Sequence, residues 1–204
     1  MNNLDKLIAQ FEKFPGIGAR QARRFAFHIL TLPQTDADEI AKLITTVHET
    51  VIECESCRRF FARSNGNVIC NICDDGARDR SKLMVVERDA DTLSIERAGA
   101  YDGLYFVLGG TVPLLENRET QKLRGSGLKH VVTERIAEGL AEITLAFSVN
   151  PDGENTARFV KSILVDVDGM DNIKVSELGR GLSTGSELEY ADPDTIKSAL
   201  DNRH

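Results

Sequence analysis

The chain has 204 residues, enough for one good core or two small domains, and its 41% hydrophobic and 28% charged content is ordinary for a soluble globular protein. The longest apolar run is too short to span a membrane, and a net charge of −7 excludes a nucleic-acid binder that works by bulk positive charge. Residues 1–80 hold 11 Lys/Arg against 11 Asp/Glu, while residues 81–204 hold 14 against 21. A local basic patch is therefore sought in the first part, and basic protein partners or metal in the acidic remainder.

Met1-Asn2-Asn3-Leu4-Asp5 has no basic stretch leading into an apolar core, so no signal peptide is read and the cytoplasm is the expected location. Leu4 to Phe14 reads as a short amphipathic helix with Leu4, Leu7, Ile8 and Phe11 on one face. Pro15-Gly16-Ile17-Gly18 breaks it, and Ala19 to Leu30 forms a second helix that ends before Pro33. Asp36 is the expected cap of a third helix reaching Val51, with Ile40, Leu43, Ile44 and Val47 facing inward.

The two glycines between the first helices permit a tight turn and close approach of a partner to the backbone. The second helix then opens with free N–H groups, which favour an anion such as a DNA phosphate. Arg20 and Arg24 share a helical face with Arg23 beside them, and Lys13 lies just before the turn. No acid occurs between Lys13 and Asp36. Lys13, Gly16, Gly18, Arg20, Arg23 and Arg24 are thus the expected DNA contacts, reading phosphate and not sequence.

All four cysteines lie between positions 54 and 73, as Cys54-x2-Cys57 and Cys70-x2-Cys73 separated by twelve residues. Two such knuckles present four thiolates to one ion, so Cys54, Cys57, Cys70 and Cys73 are read as ligands of a single zinc ion. With every position filled by protein the site is closed and structural. A redox Cys-x-x-Cys or buried free thiols are the alternatives, disfavoured by the presence of two pairs.

Beyond Gly76 the pattern changes. Strands are expected at Lys82–Val86, Leu104–Leu108 and Glu142–Val149. Helices are expected at Asp89–Ala98, within Leu115–Gly139, and from about Gly153 to Lys161. Lys161–Val167 and Asn172–Val175 read as further strands. The alternation predicts a mostly parallel sheet covered on both faces. Glu87 ends the first of these strands, and Asn150-Pro151-Asp152-Gly153-Glu154 follows the third, so Glu87, Asp152 and Glu154 are expected to converge at one sheet edge.

This layout resembles the Toprim fold, in which a Glu after the first strand and an Asp-x-Asp after the third bind magnesium. Here the latter reads Asn150-x-Asp152, one carboxylate short, so a degenerate acidic site is expected. Asp166-x-Asp168 offers another pair, read as a strand end leading into the Gly169 turn. Tyr101, Tyr105 and Tyr190 have no nearby base or metal signature that would make a nucleophile.

Taken in order, these pieces resemble the bacterial recombination mediator family RecR along nearly the whole chain. The resemblance is carried by Phe14-Pro15-Gly16-Ile17-Gly18, the cysteine cluster, Val85-Val86-Glu87, Gly103 to Gly110, Gly153-Glu154-Asn155-Thr156-Ala157, and Gly185-Ser186-Glu187-Leu188-Glu189-Tyr190-Ala191-Asp192. It implies an α+β multi-domain fold: a helix–hairpin–helix over 1–52, a four-cysteine zinc finger over 53–76, an α/β Toprim domain over 77–170, and a C-terminal Walker B-like segment over 171–204 that forms a ring interface. It further implies a homotetrameric ring that clamps DNA, with RecO and RecF as partners, to help load RecA on single-stranded DNA. It implies no catalytic activity. Glu87, Asp152 and Glu154 are then expected to dock a basic partner. The chain departs from the family at Thr111-Val112-Pro113-Leu114-Leu115-Glu116-Asn117-Arg118, which has no glycine until Gly125, and no Gly-rich Lys-Ser/Thr loop precedes the C-terminal acids. Two rival readings are a magnesium-dependent Toprim nuclease or primase, and an adaptor that binds only proteins.

Overall fold

A computed structural model of the chain describes residues 1–114, 123–179, 191 and 193–201. It divides into two compact units, Met1–Val51 and Ile52–His204. The divergent stretch from Leu115 to Arg118 and the C-terminal Gly185, Glu187, Glu189, Tyr190 and Asp192 lie outside the described residues.

The first unit is helical. Helix α1 (Asn3–Phe11) opens with a reciprocal cap: the Asp5 amide donates to the Asn2 side chain at 2.8 Å, and the Asn2 amide donates to Asp5 at 3.1 Å. It ends three residues before Phe14, where the chain tightens into bonds from the Lys13 and Phe14 amides to the Gln10 and Phe11 carbonyls. Gly16, at φ +76°, completes the turn in a region that favours glycine. Helix α2 (Ala19–Thr31) buries Ala22 and Ala26, and the Phe11 ring meets Phe14 and Phe25 edge-on at 5.8 and 6.0 Å.

Helix α3 (Gln34–Thr50) differs from expectation in two ways. Pro33 takes the cap position and Asp36 falls inside the first turn, where its charge still favours the helix dipole. The stripe Ile40, Leu43, Ile44 and Val47 is exposed, Ile44 by 62%, and no residue of α3 is buried. The helical period gathers these side chains on one face, but no described residue covers that face.

The second unit begins with strand β1 (Val51–Glu53), which pairs with β2 (Phe60–Ala62), and the single-turn helix α4 (Asn71–Asp74). A four-stranded parallel sheet follows in the order β4-β3-β5-β6, built from β3 (Asp79–Val86), β4 (Gly103–Val107), β5 (Glu142–Ala146) and β6 (Lys174–Glu177). Met84 is in register with Tyr105 on one side and Thr144 on the other. The run Leu83 to Val86 is buried throughout, as a central parallel strand requires. Helices α5 (Asp89–Ala98), α6 (Gly125–Ala137) and α7 (Pro151–Val165) connect the strands. The core joins Leu83, Val85, Leu104, Phe106, Leu128, Val132 and Ile143. A short turn at Met170–Asn172 precedes β6, and α8 (Pro193–Asp201) lies near the C-terminus.

The strand expected over Lys161–Val167 is instead the end of α7. Ala157, Val160 and Leu164 recur at helical spacing and are buried, whereas Val165 is 81% exposed. The Asp166–Asp168 pair therefore follows a helix and enters the Gly169 turn (φ +89°), away from any strand end.

Candidate metal centre and nucleic-acid interface

The two cysteine knuckles are built by backbone bonds. In the first, the Cys54 amide donates to the Arg59 carbonyl at 2.8 Å and the Arg58 amide to the Cys54 carbonyl at 3.0 Å, with Arg58 at φ +64°. In the second, Cys70 caps α4 and its amide donates to Cys54 Sγ at 3.3 Å. All four sulfurs lie within 4.8 Å of one another, and Cys57 and Cys70 Sγ are 3.6 Å apart. A tetrahedral zinc ion bound at about 2.3 Å requires sulfur separations of about 3.8 Å, so the thiols present fit a closed four-thiolate site. Hydrogen bonding with Cys57 pulls Cys54 down to about 6, and bonding with Cys54 holds Cys70 far below an ordinary thiol. Cys57 and Cys73 are pushed up, chiefly by Cys54. Four thiols so packed share protons awkwardly, and a dication that ionises all four resolves the conflict.

The cluster is part of the sheet domain's core. The Val107 amide, in β4, donates to the Cys57 carbonyl at 2.8 Å. Arg124 donates to the Val107 carbonyl at 3.0 Å and to Glu53 at 2.9 Å, with its guanidinium 5.7 Å from the Phe60 ring centre. The Phe60 amide donates to Asp89 at 2.7 Å, and Arg135 to Ser56 at 2.8 Å. Sequence reasoning missed Arg124 and Arg135, because a single arginine on a helix carries no motif.

At the carboxyl edge of the sheet, Glu87 is 6% exposed and accepts the Ser148 amide at 2.6 Å. This position leaves little of Glu87 to offer a partner at the surface. Asn150, where Toprim proteins carry the carboxylate, caps α7 by accepting from the Gly153 amide at 2.8 Å. Asp152 is half-buried and accepts the Leu114 amide at 3.0 Å, and Glu154 is exposed. A β-carbon on Gly153 would stand 1.8 Å from the Ser148 carbonyl oxygen, so only glycine fits there. Among the described residues, the four cysteines are the one group of three or more acidic, His or Cys side chains close enough to share an ion. Tyr105 donates to Glu96 at 2.7 Å and Tyr101 to the Leu104 carbonyl at 3.2 Å. Burial pushes both phenols up, away from any nucleophilic role.

In the helical unit, Lys13, Arg20, Arg23 and Arg24 are all exposed, and among the described residues no carboxylate pairs with any of them. Lys13 donates to the Gln10 side chain and Arg24 to the Gln21 side chain. Gly18 caps α2 with extended backbone (φ −83°), and a β-carbon there, as at Gly16, would meet nothing within 4 Å. Among the described residues, none stands close enough to require glycine at position 18.

These features define a Toprim-sheet protein with a helical hairpin and a four-thiol cluster that can hold a metal ion. Family models described as "RecR, helix-hairpin-helix", "Toprim domain" and "RecR, C-terminal" match residues 4–48, 81–178 and 181–204. The chain is 35% identical to a "Recombination protein RecR" of Chlorobium chlorochromatii over 98% of its length and 95% of the relative's. It is 34% identical to proteins of the same name from Lactobacillus delbrueckii, covering 97% and 94%, and Staphylococcus aureus, covering 98% and 96%. The chain belongs to the RecR family. The shared name is that of a recombination protein. Among the described residues no helix is long and apolar enough to cross a membrane.

Proposed function

We propose that the chain is a non-enzymatic recombination mediator of the bacterial cytoplasm. In this reading it binds single- and double-stranded DNA without sequence preference, as a homotetrameric ring. It works with RecO and RecF to help load RecA on single-stranded DNA. The observation that carries this reading is the set of exposed cations Arg20, Arg23, Arg24 and Lys13, which have no carboxylate partner among the described residues, beside a helix start whose Gly16 and Gly18 leave open space. A glycine that no described neighbour requires makes room for something external, and the N-terminus of α2 favours a phosphate there. One structural zinc ion, held by Cys54, Cys57, Cys70 and Cys73, stiffens the start of the second unit where it packs into the sheet's core. The exposed apolar stripe of α3 supports self-association, and the sequence reading adds residues 171–204 as a ring interface. Asp152 and Glu154 form the partner-facing part of the acidic edge, with Glu87 bracing it from beneath.

Binding to duplex and single-stranded DNA across a salt series, with mass in solution and a magnesium-dependent cleavage assay on the same DNA, tests the proposal. Tight, steeply salt-dependent binding by a tetramer without cleavage is expected. Cleavage that needs magnesium and Glu87 would establish a nuclease instead.

A further inference from the structure

Arg135 is the anomaly of the second unit. It sits in the last turn of α6 and is 5% exposed, yet among the described residues no carboxylate pairs with it. One guanidinium nitrogen donates to the Ser56 hydroxyl at 2.8 Å, and its buried Nε finds no acceptor. A buried cation without an opposing charge is costly, so its surroundings are expected to answer that charge. Ser56 points to the cysteine cluster, since it lies between Cys54 and Cys57. Four thiolates on one divalent ion leave a net dianion, and the ion's surroundings must answer that charge as well as the ion itself.

We infer that Arg135 is the internal counter-charge of the metal centre, held against the first knuckle through Ser56. On the second knuckle, the partly buried Arg59 donates to Asn71, between Cys70 and Cys73, at 2.7 Å, a second cation beside the cluster. The inference rests on the zinc reading and adds to it a buried cation that offsets the centre's charge. Arg135 is a positioning and charge-compensating residue, not a ligand.

The test measures metal affinity of the full chain by competition with a chromogenic chelator, using zinc and then cobalt, whose absorption reports thiolate ligation. Arg135→Gln should weaken metal binding by about 10- to 100-fold with the cobalt spectrum unchanged in shape. Arg135→Lys, which keeps the charge, should recover most of that loss, whereas a purely packing role would leave Lys no better than Gln. Replacing one thiolate by a neutral imidazole with Cys73→His lowers the centre's negative charge, so Arg135→Gln should cost less in that background. If Arg135→Gln alone does not fold, recovery of folding by Cys73→His supports the inference, and no recovery overturns it. Wild-type protein that takes up no metal would overturn the zinc reading and this one together. Wild-type protein that binds four-thiolate metal, with an Arg135→Gln variant that binds equally well, would overturn this inference alone.

Discussion

Val107 and Cys57 are joined backbone to backbone, the amide of the edge strand donating to the carbonyl of the first knuckle at 2.8 Å. Strand β4 has β3 on one side and this knuckle on the other, so the metal centre occupies an edge that would otherwise stand open. Removing the metal should therefore loosen that edge first. In hydrogen exchange after chelation, the Val107 amide is expected to lose protection well before that of Val85 in the central strand. Equal loss at both would show that the knuckle is not a separate brace.

Arg20→Ala combined with Arg24→Ala should abolish tight DNA binding while leaving the helical content intact, because both side chains are exposed and the buried Ala22 and Ala26 are untouched. Loss of two phosphate contacts should lower the slope of log affinity against log salt by about 2. A folded double mutant with wild-type affinity would remove these residues from the interface.

Gly153→Ala should destabilise the second unit by about 2–4 kcal/mol, measured by urea unfolding. The added carbon would overlap the Ser148 carbonyl, pushing α7 away from β5 and breaking the Asn150 cap. An unchanged midpoint would mean the turn is held less tightly than its geometry indicates.

Glu87→Ala leaves the Ser148 amide without its acceptor in a partly buried setting and should cost about 1 kcal/mol in the same assay, with Glu87→Gln milder because it keeps an oxygen. A stabilising effect of Glu87→Ala would instead mark the carboxylate as strained and reserved for a ligand.

Glu96 receives a two-point grip from Arg78 and a hydrogen bond from Tyr105, and Arg78 holds its carboxyl below the usual range. A carboxylate more acidic folded than unfolded adds stability above its unfolded value of about 4.3, lost as pH falls through the lower folded value. Asp79, held at about 2 by Ser81 and Lys82, acts in the same direction further down. Glu96→Gln should flatten thermal stability against pH just below 4.3, which a series of melts at pH 3 to 6 would reveal.

The cysteine spacing, the glycine turn and the alternation of elements were legible because each depends on local chemistry. The parallel sheet followed from continuous apolar runs such as Leu83 to Val86, which only a doubly covered strand tolerates. Ile163-Leu164-Val165 misled because β-branched residues at a helix end look like a short strand, and only the burial of Ala157, Val160 and Leu164 on one face settles the matter. Periodicity grouped Ile40, Leu43, Ile44 and Val47 on one face of α3, but the expectation that they face inward fails: all four are exposed. Glu87 lies at the expected edge of the sheet, but no sequence pattern reveals that its carboxylate accepts a neighbouring backbone amide. Arg124 and Arg135 were invisible for the same reason, their meaning lying entirely in what the fold brings to them.

The knuckle that braces Val107 also precedes it in the chain. During synthesis all four thiols leave the ribosome before the edge strand exists, so the brace can be in place when the strand arrives. On the proposed zinc reading, a newborn chain can take up its ion while the four thiols are still open to solvent, before the sheet that buries them is complete.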